Sequence, residues 1–154
     1  MHVDIKDMPS LRVATVRHVG PYDLIPQAFE RLAAIAGPAG LFGRPGVALM
    51  GLYHDDPDSV PSDKLQSDAA LVVPDDLAIP AGLTEARVPA GRYACTLFVG
   101  PYEQLGEVWG MLKHAWLPAS GHRGRAGVSV ERYLNTPGEV PPEELKTELC
   151  MPIL

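Results

Sequence analysis

Cysteine is scarce in this chain, with two residues, Cys95 and Cys150, among 154. Two cannot staple a disulfide scaffold, and neither belongs to a Cys-x-x-Cys pair. Both are read as small buried hydrophobes, which favours a reducing cytosol. Long apolar runs are missing too. No stretch approaches the ~18 residues of a membrane span, so no membrane partner is expected. Met1-His2-Val3-Asp4-Ile5-Lys6-Asp7 has neither the basic nor the apolar segment of a secretory signal, so a cytoplasmic protein is expected. Positive charge is in deficit, with 13 Lys and Arg against 19 Asp and Glu and a net charge of -6. Direct nucleic-acid binding needs a basic face and is therefore not expected. Histidines 2, 18, 54, 114 and 122 show no metal-ligand spacing. Neither a phosphate-cradling Gly-x-x-x-x-Gly-Lys-Ser/Thr loop nor a Gly-x-Ser-x-Gly elbow is written. No metal and no cofactor are expected.

What remains is a globular composition, 46% hydrophobic and 21% charged, at a length that supports a single domain with a real core. Within it the chain repeats itself. Val19-Gly20-Pro21-Tyr22 returns as Val99-Gly100-Pro101-Tyr102, an offset of 80 residues. The same offset pairs Arg12 with Arg92, Leu32 with Leu112, Pro38-Ala39 with Pro118-Ala119, Tyr53 with Tyr133 and Leu65 with Leu145. Residues 9–74 against 89–154 give 15 identities in 66 ungapped pairs, where chance gives about four or five. The chain is a tandem duplication, repeat 1 over about residues 1–80 and repeat 2 over about 81–154.

Each repeat reads as strand–helix–strand–strand. Residues 11–19 and 91–99 are β-rich strands, broken by Gly-Pro. An acid, Asp23 or Glu103, then suits a helix's first turn. The helices carry matching apolar stripes, Ile25, Ala28, Phe29, Leu32 and Ala36 against Leu105, Val108, Trp109, Leu112 and Trp116. Second strands cover about 46–53 and 127–133, and third strands about 67–73 and 146–152. One such unit is too small to cover its own sheet face. The fold class expected is α+β: a pseudo-twofold doubled unit, mostly antiparallel, with two main helices on one face and a groove at the seam.

The segments "RVATVRHVGPY" at 12–22, "GLYHDDP" at 51–57, "WLPASGH" at 116–122 and "NTPGEVPPEELKTELCMPI" at 135–153 resemble the GyrI-like small-molecule-binding domains. These also form the effector-binding domains of AraC-type and related multidrug-responsive regulators. The resemblance runs from Ile5 to Leu154. It implies a groove for hydrophobic, often cationic, small molecules, lined by aromatics and carrying a glutamate, which maps onto Glu148. No DNA-reading module flanks the repeats, so a stand-alone form is expected. Two further readings come with the resemblance: a hydrolase of cyclopropane-containing genotoxins, with Glu148 positioning water or accepting its proton, and a gyrase-inhibiting interaction protein.

Alternation places Lys146, Glu148 and Cys150 on one face of the last strand, and the duplication puts Asp68 at the position of Glu148. Trp109 and Trp116 share one helical stripe with Phe29 as the counterpart of Trp109, and Tyr53 and Tyr133 close the second strands. For Glu148 and Asp68 the other reading is a solvent-facing acid, and each aromatic has a packing role open to it beside a ligand-binding one. Together Glu148, Trp109, Tyr53, Tyr133, Trp116, Phe29 and Asp68 form the expected ligand set.

Overall fold

Short β-rich runs make the strands, and Gly-Pro corners end the longest two. The computed structural model describes residues 1–154. In chain order the elements are β1 (Asp4–Met8), β2 (Leu11–Val19), α1 (Pro26–Ala36), β3 (Ala48–Tyr53), β4 (Gln66–Val72), β5 (Thr84–Val88), β6 (Gly91–Val99), α2 (Leu105–Gly110), a π-helical stretch (Met111–Trp116), α3 (Leu117–Ser120), β7 (Ser129–Tyr133) and β8 (Lys146–Pro152). The architecture is α+β with antiparallel strand pairing, as the doubled sequence predicts.

Two compact units form, Pro9–Ala90 and Met1–Met8 together with Gly91–Leu154. The division does not follow the repeats. β1 and β5 are repeat equivalents, yet β1 pairs with β6 (Asp4 opposite Cys95) and β5 with β2 (Leu11 opposite Val88). Each repeat therefore lends its first strand to the unit built by the other. The strand–helix–strand–strand pattern read from the sequence lacks these two strands.

In the unit Pro9–Ala90 the strand order is β3-β4-β2-β5. α1 starts on Pro26, whose fixed φ suits the first turn. It buries Ala28, Leu32 and Ala36 against Ala14, Ala69 and Leu71 of the sheet. Spacing of three and four puts those helical residues on one stripe, and each buried leucine contributes roughly 1.5–3 kcal/mol. Alternate residues Asp68 and Ala70 point to the opposite face.

In the second unit the order is β1-β6-β8-β7. Leu112 packs with Ala94, Met151 and Ile153, while Leu105 and Val108 pack on Leu149. The helix here outlasts its counterpart. α1 stops at Ala36, two residues before Pro38, whereas the equivalent Pro118 sits inside a helical run. Proline has no N–H and its ring crowds the carbonyl four residues back. The run widens to a π turn just before it, and the Leu117 N–H reaches Leu112 O instead.

The repeated Val-Gly-Pro-Tyr is the corner between strand and helix. Gly20 and Gly100 have φ of 132° and 155°, a region L side chains rarely enter. Their N–H groups donate to Leu65 O at 2.8 Å and Leu145 O at 2.9 Å. Pro then opens a single 3₁₀ turn in both copies. No helix is long and apolar enough to cross a membrane.

Candidate functional site

Directly opposed residues of an antiparallel pair share a face of the sheet. On β7 and β8, Glu131 lies opposite Leu149 and Tyr133 opposite Thr147. Leu149 is the residue on which Leu105 and Val108 pack, with Trp109 alongside. Glu131 is thereby raised beside the helix, and Trp109 Nε1 donates to its Oε2 at 2.7 Å. The Tyr133 hydroxyl donates to Oε1, also at 2.7 Å. The Tyr102 ring sits 5.6 Å from that of Tyr133, tilted by 59°. Only 4% of Glu131 is exposed. Burial pushes the Tyr102 phenol above its ordinary pKa, with the Glu131 charge adding to it. A carboxylate, an indole and two phenols thus converge on one spot.

The equivalent spot in the unit Pro9–Ala90 keeps the rings and loses the acid. Tyr53 meets Tyr22 edge-on, centroids 4.9 Å apart, and Phe29 packs against the same core. The residue equivalent to Glu131 is Gly51. The Tyr22 hydroxyl donates to Asp55 O at 2.8 Å and accepts the Asp55 N–H at 3.0 Å, which pins the loop after β3. Burial raises the Tyr22 phenol's pKa as well.

Glu148 points the other way. It lies opposite Arg132 and Leu97, on the face away from the helix. Lys6 Nζ meets its Oε2 at 2.5 Å, and Arg132 Nη1 stands 3.4 Å from Oε1. The hydrogen bond to Glu148 raises the Lys6 pKa. Asp68 has the equivalent placement with different partners, Arg17 Nε and His54 Nε2, each at 2.6 Å. Burial alone would push its pKa up. The bonds from His54 and Arg17 outweigh burial and hold it below the usual carboxylate range. The structure does not bring Glu148 and Trp109 together. Alternation on β8 is as the sequence predicts, and the helix covers the face carrying Leu149.

Trp116 packs beside Leu112 and Ile153 and stacks on His122, with centroids 5.8 Å apart and planes 13° from parallel. It also lines a shallow hollow of about 320 Å³ with Met1, Met111 and Ala115. No charged side chain lines that hollow. Cys95, Glu148 and Cys150 bring ligand atoms within 4.8 Å of one another, the donor set closest to a metal site. Their spacing along the chain gave no sign of it.

Glu131 is the residue that sequence reasoning passed over. Its signal was period two: it stands two positions before Tyr133 and must share that residue's face.

The fold is α+β, and its second unit carries an acid-centred aromatic cluster. The GyrI-like small molecule binding domain matches residues 1–154, and the chain belongs to that family. It is 38% identical over 147 residues to a DNA gyrase inhibitor of Serratia proteamaculans (strain 568), covering 88% of each chain. Among solved structures it resembles the EcmrR C-terminal domain, with a TM-score of 0.76 at 19% identity over 99% of this chain and 97% of that one. It also resembles SAV2435 bound to tetraphenylphosphonium, with a TM-score of 0.72 at 16% identity over 100% of this chain and 94% of that one. At these identities the two structures carry the fold alone.

Proposed function

We propose that the protein binds lipophilic cations at Glu131, beside Trp109, Tyr102 and Tyr133. The observation that carries this reading is a carboxylate buried to 4% exposure and held by an indole N–H and a phenol O–H. A buried acid set among aromatic rings supports a ligand that is apolar and positively charged. Indole and phenol faces attract the same cation through their quadrupoles. The two hydrogen bonds fix the carboxylate's direction before any ligand arrives, which reduces the ordering cost of binding. Tetraphenylphosphonium, the ligand bound to the structural neighbour SAV2435, has this chemistry. A cytoplasmic setting belongs to the same reading, supported by the name of the gyrase-inhibitor relative.

Tryptophan fluorescence titrated with tetraphenylphosphonium tests it. Binding should change the emission of Trp109, and Trp109→Phe should remove that change while Trp116→Phe keeps it. Saturable binding whose signal persists in Trp109→Phe would place the ligand elsewhere.

A second reading, inhibition of DNA gyrase, is favoured by the name of the relative at 38% identity. It predicts loss of supercoiling by purified gyrase at micromolar protein. Unchanged supercoiling would remove it.

A further inference from the structure

Cys95 and Cys150 stand directly opposite each other on β6 and β8, with Sγ atoms 2.7 Å apart. Fifty-five residues separate them in sequence, so the fold alone creates the pair. The type of pair matters. Gly100 N–H donates to Leu145 O and Ile153 N–H to Arg92 O, which makes 100–145 and 92–153 hydrogen-bonded pairs of this ladder. Such pairs alternate, so Cys95–Cys150 falls on a non-hydrogen-bonded position, where Cα atoms approach to ~4.5 Å and side chains lie closest. That separation lies inside the window a disulfide accepts, about 4.4–6.8 Å. Both thiols are buried, at 2% and 0% exposure.

We propose that Cys95 and Cys150 are a reversible oxidation site, closing to a cross-strand disulfide under peroxide. The Cys95 thiolate attacks one peroxide oxygen, and the O–O bond breaks to leave a sulfenic acid and hydroxide. Cys150 sulfur then attacks Cys95 Sγ. The S–S bond forms as the S–O bond breaks, and the departing hydroxide takes the Cys150 proton. Two thiols are oxidised and one peroxide is reduced to two waters. Contacts around Cys95 favour its thiolate, while its burial restricts the path by which peroxide reaches it. The hydrogen bond with Cys150 lowers the Cys95 pKa, while burial and Glu148 oppose it and Lys6 and Arg132 assist. The same bond raises the Cys150 thiol, so Cys95 is the more readily ionised of the two. A metal suits the trio less well. Glu148 is already bridged to Lys6 and Arg132, two cations that an incoming cation would have to displace.

The test uses the full chain, reduced, desalted, treated with hydrogen peroxide, then denatured in an alkylating reagent and weighed. The mass should fall by two hydrogens with no alkyl group added. One linked peptide pair should contain both cysteines, and dithiothreitol should reverse the change. Cys150→Ala and Cys95→Thr install the residues found at the equivalent positions, Ala70 and Thr15, and neither variant should show the two-hydrogen loss. Two alkylated thiols after overnight peroxide would overturn the proposal. So would sulfinic acid or an intermolecular dimer as the main product, or a stoichiometric metal on the freshly purified protein that blocks oxidation.

Discussion

Trp109 Nε1 donates a 2.7 Å hydrogen bond to Glu131 Oε2, tying the second helix to β7 through a buried acid. The repeat equivalents are Phe29 and Gly51, which cannot make that bond. The duplication has therefore kept the fold in both copies while placing the acid in one.

Trp109→Phe removes the donor and leaves the carboxylate buried with one partner fewer. A hydrogen bond to a charged group is worth about 1.5–3 kcal/mol, and stability should fall by that order. Chemical denaturation with the midpoint followed by circular dichroism measures it. Trp116→Phe, which keeps its packing role, should cost less.

Asp68 gives the chain a pH dependence whose sign is fixed. Its folded pKa lies below the unfolded value because His54 and Arg17 hold the charged form. The folded state then binds fewer protons than the unfolded one between those two values. The stabilisation is complete above the unfolded pKa of ~3.9 and is lost as pH falls through the folded pKa. Asp68→Asn should therefore lower stability at pH 7 by about 1.5–3 kcal/mol and make the profile below pH ~4 shallower. Urea midpoints measured across that range check both parts.

Two glycines of the second repeat should respond oppositely to alanine. Gly100 has φ of 155°, and a Cβ there would lie 2.7 Å from Phe98 Cζ. Gly100→Ala should cost about 1–3 kcal/mol. Gly106 lies in α2 with nothing within 4 Å of an added Cβ. Gly106→Ala should add about 0.5–1 kcal/mol. Thermal melts of the two variants separate the cases.

The duplication made most of the architecture readable before any coordinate. Strands at 11–19 and 91–99 match β2 and β6 residue for residue, and β8 (Lys146–Pro152) covers the third strand expected at about 146–152. β1 and β5 escaped because Asp-Ile-Lys-Asp-Met and Thr-Glu-Ala-Arg-Val lie mostly exposed and give no strong apolar alternation. Their pairing with the other repeat's strand has no local signature. At the candidate site, helical period puts Trp109 on the buried stripe, and the resemblance points to Tyr133. Glu148 was assigned through family resemblance, and its neutralisation was invisible because Lys6 is 142 residues away in sequence. Gly51 at the position of Glu131 hid the acid from the repeat comparison, since only one copy carries it.

Side-by-side calorimetric titration of wild type, Glu131→Gln and Glu148→Gln with tetraphenylphosphonium shows which carboxylate the cation meets. Loss of the buried charge should weaken binding roughly ten- to a hundredfold in Glu131→Gln, the equivalent of about 1.5–3 kcal/mol, with Glu148→Gln unchanged. Full affinity in Glu131→Gln, or the larger loss in Glu148→Gln, would contradict binding at Glu131.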